Sequence, residues 1–271
     1  MTRLKLLFLC VVLVCLINVS WAAPSSEAWS FWAEYDDESL FVVEHDDWQV
    51  ILDRYLNAKT QDGVSRFNYK AVTSEDKKRL KTYLSGLSRL DPRKLRRAEQ
   101  QAFWINLYNA LTVDVVLDKY PVESIRKIRF FTSLFGPWDK SLISIAGQEL
   151  SLNDIEHRIL RPIWQDARIH FAVNCASVGC PNLQERVFTA LNTDELLELG
   201  AQQFINHPRG LSREGDVLVL SSIFDWYGVD FGATEEELLE YLSDFLDADK
   251  LTQLDSIEQI YFQYDWSLNA E

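Results

Sequence analysis

Cysteine and histidine are both scarce in this chain, four of each in 271 residues, so chemistry that needs them is confined to few positions. Cys10 and Cys15 fall inside the first apolar run, which leaves Cys175 and Cys180 for the folded domain. Two cysteines are too few for a disulfide-built scaffold. The sequence also has no glycine-rich phosphate loop, no G-x-S-x-G elbow and no H-E-x-x-H. A metal would have only His170, Cys175 and Cys180 to draw on, without the close-set second pair of a usual zinc site; neither metal nor other cofactor is expected. Basic residues are few, 27 Lys and Arg against 41 Asp and Glu, giving a net charge of −14. Such a surface repels nucleic acid and anionic membranes.

Long hydrophobic stretches are confined to one, Leu6 to Ile17, behind the basic start Arg3 and Lys5 and ahead of the small residues Ser20 and Ala22. This pattern predicts a secretory signal over residues 1–22, cut after Ala22. It is too short for a stable membrane anchor. Cys10 and Cys15 follow Leu9 and Val14, whereas lipid attachment needs a small preceding residue, so the expectation is a soluble exported protein. The expected compartment is the periplasm of a Gram-negative bacterium or the exterior, where disulfides are permitted.

What remains suits a single α+β domain with a central buried helix on a small mixed or antiparallel sheet, surrounded by further helices. Residues 23–59 read as an acidic, aromatic lead-in and residues 60–271 as the domain. Helical spacing is predicted over Trp48 to Leu56, Ser74 to Leu87, Arg97 to Lys119, Thr193 to Asn206 and Thr234 to Leu246. A hairpin is expected over Lys140 to Leu150, turning at Ala146-Gly147. Ser151 to Asp154 offers a capping box for a helix ending near Arg161-Pro162. Strands are expected at Ile169 to Asn174, Val217 to Leu220 and Gln259 to Trp266. The 97–119 helix embeds Glu99, Asn106 and Asn109 in an apolar surround, and buried amides must find partners.

Chemistry concentrates between Arg168 and Pro181. On a strand, His170, Ala172 and Asn174 share one face and Cys175 points away, so Cys180, returned by the turn at Ala176 to Gly179, is the thiol expected to meet His170. That makes Cys180 the candidate nucleophile and His170 its base, with Asn109 or Glu99 orienting the ring; Cys175, Asn106 and His157 are alternates. Against this stands a structural Cys175-Cys180 disulfide, and also a redox-active pair or two free buried thiols. His170 has the simpler alternative of a satisfied core histidine. His45 and His207 are expected to be exposed. Asp225 and Asp230 form a carboxylate pair among aromatics, read as packing and capping or as acid-base groups for a sugar.

Five segments in order carry a resemblance: Phe103 to Thr112, Asp154 to Arg161, the histidine-cysteine stretch, Phe224 to Tyr227, and Tyr264 to Asn269. Together they are similar to the domain-of-unknown-function family numbered 547. The resemblance implies a domain from about residue 60 onward and assigns no activity. A looser likeness, to papain-like and transglutaminase-like folds, implies a thiol at the start of the central helix and a histidine on a strand, and here no cysteine lies near that helix start. Two functions follow as expectations. One is a thiol-dependent hydrolase or acyl transferase on peptide-like amides. The other is a non-catalytic envelope protein that binds a peptide or small molecule beside a disulfide-fixed loop.

Overall fold

The structure, a computed structural model, describes residues 24–129 and 136–271; the expected leader at 1–22 lies outside them. The chain forms an α+β fold with two adjoining cores. The larger is built around α3, Arg97–Lys119, which starts right after the one-turn 3-10 segment Pro92–Lys94 and stops at Tyr120-Pro121, as its proline requires. Its whole middle is buried, from Ala102 to Val113 without interruption. A helix apolar on every side needs neighbours on every side. They are helices: α2 (Ser74–Leu87), the helix formed by the π segment Asp154–Leu160 and α4 (Arg161–Trp164), and α5 (Thr193–Ile205). The expected α+β class holds, with small sheets, and helices supply most of the cover of α3.

The lead-in is part of this core. Trp32 and Trp48 are each 1% exposed, Trp32 packs edge-on against Trp104 at 5.0 Å, and α1 (Asp46–Tyr55) lies against α2. Glu99 explains its buried position here: its Oε1 accepts the Val43 amide at 2.8 Å, tying the lead-in to the first turn of α3. His45 is 3% exposed, not on the surface as its acidic neighbours implied, because its Nδ1 sits 2.6 Å from the Tyr83 hydroxyl in the α1–α2 seam.

The smaller core lies under a three-stranded sheet, β5 (Leu211–Glu214), β6 (Val217–Ser221) and β7 (Gln259–Gln263), antiparallel then parallel. Between β6 and β7 run α6 (Ser222–Trp226), α7 (Gly228–Phe231) and α8 (Glu235–Phe245), the last opened by a capping box of Thr234 and Glu237. Two short ribbons complete the fold, β1–β2 (Leu56–Asn57, Arg66–Phe67) and the hairpin β3–β4 (Ile143–Ile145, Gln148–Leu150), which turns at Ala146 and Gly147, both at positive φ. No helix of the described residues is long and apolar enough to cross a membrane.

Two local departures shape the site. The segment read as the His170 strand is a 3-10 helix, Ala167–Phe171. Asp166 starts it by accepting the Arg168 amide at 2.9 Å and then holds the Arg168 guanidinium at 2.8 Å. Its apolar run is buried on all sides, which a strand-like pattern cannot distinguish from a buried helical turn. The papain-like arrangement, with its histidine on a strand, loses that element. The second departure is the helix after Ser151. Ser151 and Asp154 do cap each other, but the helix continues through Pro162 to Trp164 and widens over Asp154–Leu160 into π turns, with the Arg161 amide reaching back to Glu156 O. Such wide turns frequently accompany functional sites.

Candidate functional site

Asn109 and Asn174 build the cysteine loop. From the middle of α3, Asn109 donates to Ala172 O at 2.9 Å and accepts the Asn174 amide at 2.8 Å. Asn174 then closes the loop on itself, donating to Pro181 O at 2.7 Å and accepting from the Ala176 amide at 2.8 Å, while Ala176 takes a left-handed φ of 59°. Asn106 does the same one turn earlier, bonding both the amide and the carbonyl of Phe188. These buried amides are thus splints between α3 and irregular backbone. No hydrogen bond joins Asn109, Asn106 or Glu99 to His170 among the described residues, so the orienting role expected of them passes to other groups.

Cys175 and Cys180 are both free thiols. The expected disulfide is corrected, and with it the support it lent to a disulfide-fixed binding loop. The two are unequal, in the opposite sense to the strand argument. Cys180 is 4% exposed, accepts the Cys175 amide at 3.0 Å and donates toward Val173 O at 3.7 Å. Burial pushes its thiol well above the ordinary cysteine value. Cys175 is partly exposed, and its sulfur lies 3.1 Å from both the Ser177 and the Tyr264 hydroxyls, which are 2.9 Å from each other. The hydrogen bond from Cys180, followed by those from Ser177 and Tyr264, outweighs burial and lowers the Cys175 pKa. Hydrogen bonds to the charged form are a recognised way to favour a thiolate.

Tyr264 arrives from beyond β7. The segment after that strand crosses the loop through Val178 N to Ser267 O at 2.8 Å and Gly179 N to Asp265 O at 2.8 Å. Gly179 is required there, since a Cβ would stand 2.8 Å from the Asp265 amide and 2.9 Å from its carbonyl. On the far side, Arg209 donates to Val178 O at 2.9 Å and Asn182 Oδ1 at 2.6 Å, and burial lowers its pKa to about 10.

Next to the loop lies a buried charged array that the π turns create. Glu156 Oε1 is 3.6 Å from His170 Nδ1 and 4.0 Å from His157 Nδ1, and it takes a hydrogen bond from Tyr108. Burial opposes its charge, yet His157, His170 and Tyr108 together hold its pKa down to about 2. Asp230 accepts from His170 Nε2 at 2.7 Å and from Arg161 Nε at 2.6 Å; these partners overcome its burial and bring it to about 2. Tyr227 stacks on His170 at 4.2 Å. Both ring nitrogens of His170 therefore face carboxylates. His157 accepts from Arg161 Nη1 at 3.1 Å through Nδ1, which places its own proton on Nε2. Burial first, then Arg161 and His170, lower its pKa to about 4 against the pull of Glu156 and Asp230. Glu156 also acts on Cys175, its charge opposing ionisation of the thiol.

Of the expected residues, the structure groups His157 with His170, and Cys175 with Cys180, in adjoining parts of one polar interior. It places Asn109 behind the loop and Glu99 with Val43 at the start of α3. Asp225 is exposed, whereas Asp230 is partly buried and engaged by His170 and Arg161. His207 is partly buried and meets Asp62 O at 2.6 Å. Missed by sequence reasoning were Glu156, Arg161, Ser177 and Tyr264. Their signal was charge and hydroxyl groups inside otherwise apolar segments. Among the described residues no group of three His, Cys, Asp or Glu side chains is placed to hold a metal ion.

Comparison with known proteins adds one assignment. Neither a curated protein nor a solved structure matches the chain. Residues 92–205, from the turn before α3 to the end of α5, match the sequence model of the family described as Protein of unknown function, DUF547. That span holds Asn109, Glu156, His157, Arg161, His170, Cys175 and Cys180, whereas Asp230 and Tyr264 lie beyond it. Over residues 92–205 the chain is thus similar to the DUF547 family, and its cysteine loop lies inside the matched region.

Proposed function

We propose that the protein is an exported thiol-dependent acyl-transfer enzyme with Cys175, not Cys180, as the nucleophile. The observation that carries this reading is the convergence of Cys180, Ser177 and Tyr264 on the sulfur of a residue that is itself partly exposed. Reactive cysteines need a stabilised thiolate with access to substrate, and Cys175 combines the two where Cys180 has neither. Export is supported by the leader pattern of residues 1–22.

In the proposed reaction the Cys175 thiolate adds to a carbonyl carbon, and the carbonyl π electrons move to oxygen. The Ser177 and Tyr264 hydroxyls, no longer needed by the sulfur, donate to the oxyanion. Collapse expels the leaving group and leaves an acyl thioester on Cys175; water or an amine adds to it and gives up a proton to solvent, and collapse of that adduct returns the thiolate. His170 and His157 are engaged by Asp230, Glu156 and Arg161. Leaving groups that depart without a proton suit this site best, so thioesters and activated esters come before peptide amides.

Intact-mass and peptide mass spectrometry after incubation with the S-phenyl thioester of acetic acid tests the reading. A single acetyl group on Cys175 in the wild type, slower labelling in Cys180→Ala and none in Cys175→Ala are expected. Undiminished acetylation of the Cys175→Ala protein, or none of the wild type, would sink it.

A further inference from the structure

Two of the segments that carry the family resemblance, Phe224 to Tyr227 and Tyr264 to Asn269, meet beside Cys175. Trp226 lies 4.8 Å from the Tyr264 ring and 5.4 Å from Trp266, nearly parallel to the latter, and Tyr264 and Trp266 are 4.6 Å apart. All three residues are partly exposed. Trp32, Trp48 and Trp104 are each 1% exposed, whereas Trp226 and Trp266, like Trp29, Trp138 and Trp164, are only partly covered. Tyr264 belongs to the sulfur and to this shelf at once: its hydroxyl touches Cys175 and its ring touches both tryptophans. A single tyrosine ring therefore separates the shelf from the reacting atom.

The far end of the shelf is cationic. The exposed guanidinium of Arg126 lies 4.9 Å over the Trp266 ring and forms no ion pair among the described residues, on a chain of net charge −14. An apolar aromatic surface with an unneutralised arginine at one end matches a ligand with a flat apolar body and an anionic end.

We propose that Trp226, Tyr264 and Trp266, ending at Arg126, form a binding subsite for planar apolar groups that carry a carboxylate or similar anion. Its role as a substrate subsite rests on the reading of Cys175 as the nucleophile; its capacity to bind does not.

2-Naphthoate is the probe, with 2-naphthylmethanol as the uncharged control, titrated calorimetrically into the full chain. Naphthoate is expected to bind wild type and Cys175→Ala alike and to slow alkylation of wild-type Cys175 by iodoacetamide. Arg126→Gln, at an exposed position, should weaken naphthoate about fivefold and leave naphthylmethanol unchanged. Trp226→Ala should weaken both, with Trp226→Phe, which keeps the packing, restoring most of the affinity. No binding by the wild type, binding without protection of Cys175, or equal naphthoate affinity in Arg126→Gln would overturn the proposal. If naphthoate behaves as expected while the acetyl thioester leaves no acyl group on Cys175, the subsite stands and the nucleophile reading falls.

Discussion

Replacing His45 by glutamine should remove about half of the protein's sensitivity to mild acid. His45 and His157 are each 3% exposed, and each has its pKa lowered from 6.5 to about 4, chiefly by burial. In the unfolded chain both take a proton near the ordinary value, while the native protein refuses it until about pH 4. The unfolded state therefore binds more protons between those limits, and stability falls as pH drops through 6.5 toward 4. At pH 5 the loss is about 2 kcal/mol for each ring, or about 4 kcal/mol together. That is a large share of the 5 to 15 kcal/mol typical of a domain. The depressed carboxylates do not blur this window. Glu156 and Asp230 have pKa values near 2, and their contribution is lost only as pH falls below the ordinary carboxylate range toward that value. Partly buried His207 is lowered too and adds in the same direction as the two rings. Urea unfolding followed by tryptophan fluorescence at pH 7.5 and 5.0 reads the difference. With a slope of about 2 kcal/mol per molar urea, the wild-type midpoint should drop by about 2 M and that of His45→Gln by about 1 M. Equal drops in the two proteins, or a flat wild type, would refute burial as the cause.

Tyr264→Phe removes one of the hydroxyls shared with Cys175 and should slow its alkylation at neutral pH, with the apparent thiol pKa rising when the rate is followed against pH. Asp230→Asn leaves the nearly buried Arg161 without its carboxylate, and a loss of about 3 to 5 kcal/mol is expected in denaturant unfolding. Asn109→Ala strands the Ala172 carbonyl and Asn174 amide in the core; at about 1 to 3 kcal/mol for each unsatisfied group, calorimetry should show a clear fall in melting temperature. Gly179→Ala forces a Cβ against the Asp265 backbone and should separate Tyr264 from Cys175, giving the slow alkylation of Tyr264→Phe in a chain that keeps its phenol.

Local rules sufficed wherever an element was decided within its own residues. The bounds of α3 follow from its composition and from Pro121, the hairpin turn from Ala146-Gly147, and the start of α8 from Thr234 and Glu237. Ser74 to Leu87 was legible as a helix, and Thr73 caps it by accepting the Asp76 amide. Where burial erases periodicity, the reading failed: Ile169, Phe171 and Val173 look like a strand because every side of that 3-10 turn is covered. The site suffered the same way. His170 and both cysteines were conspicuous by type, but their relation depends on a backbone path set by Asn109, 65 residues before Asn174. Glu156 and Arg161 were hidden by a different cause, since α-helical spacing misplaces side chains once the turn widens.

The crossing of the cysteine loop by the segment after β7 has a consequence for synthesis. α3, the π turns and the loop can all be made and buried while residues 264–269 are still awaited, yet Tyr264 comes only with that late segment, and so does the glycine-dependent contact that seats it. A chain truncated before Tyr264 would keep most of its larger core and both thiols but lack one of the donors that distinguish Cys175. On the proposed role of Cys175, a readout of its alkylation would double as a readout of whether the last part of the fold has docked.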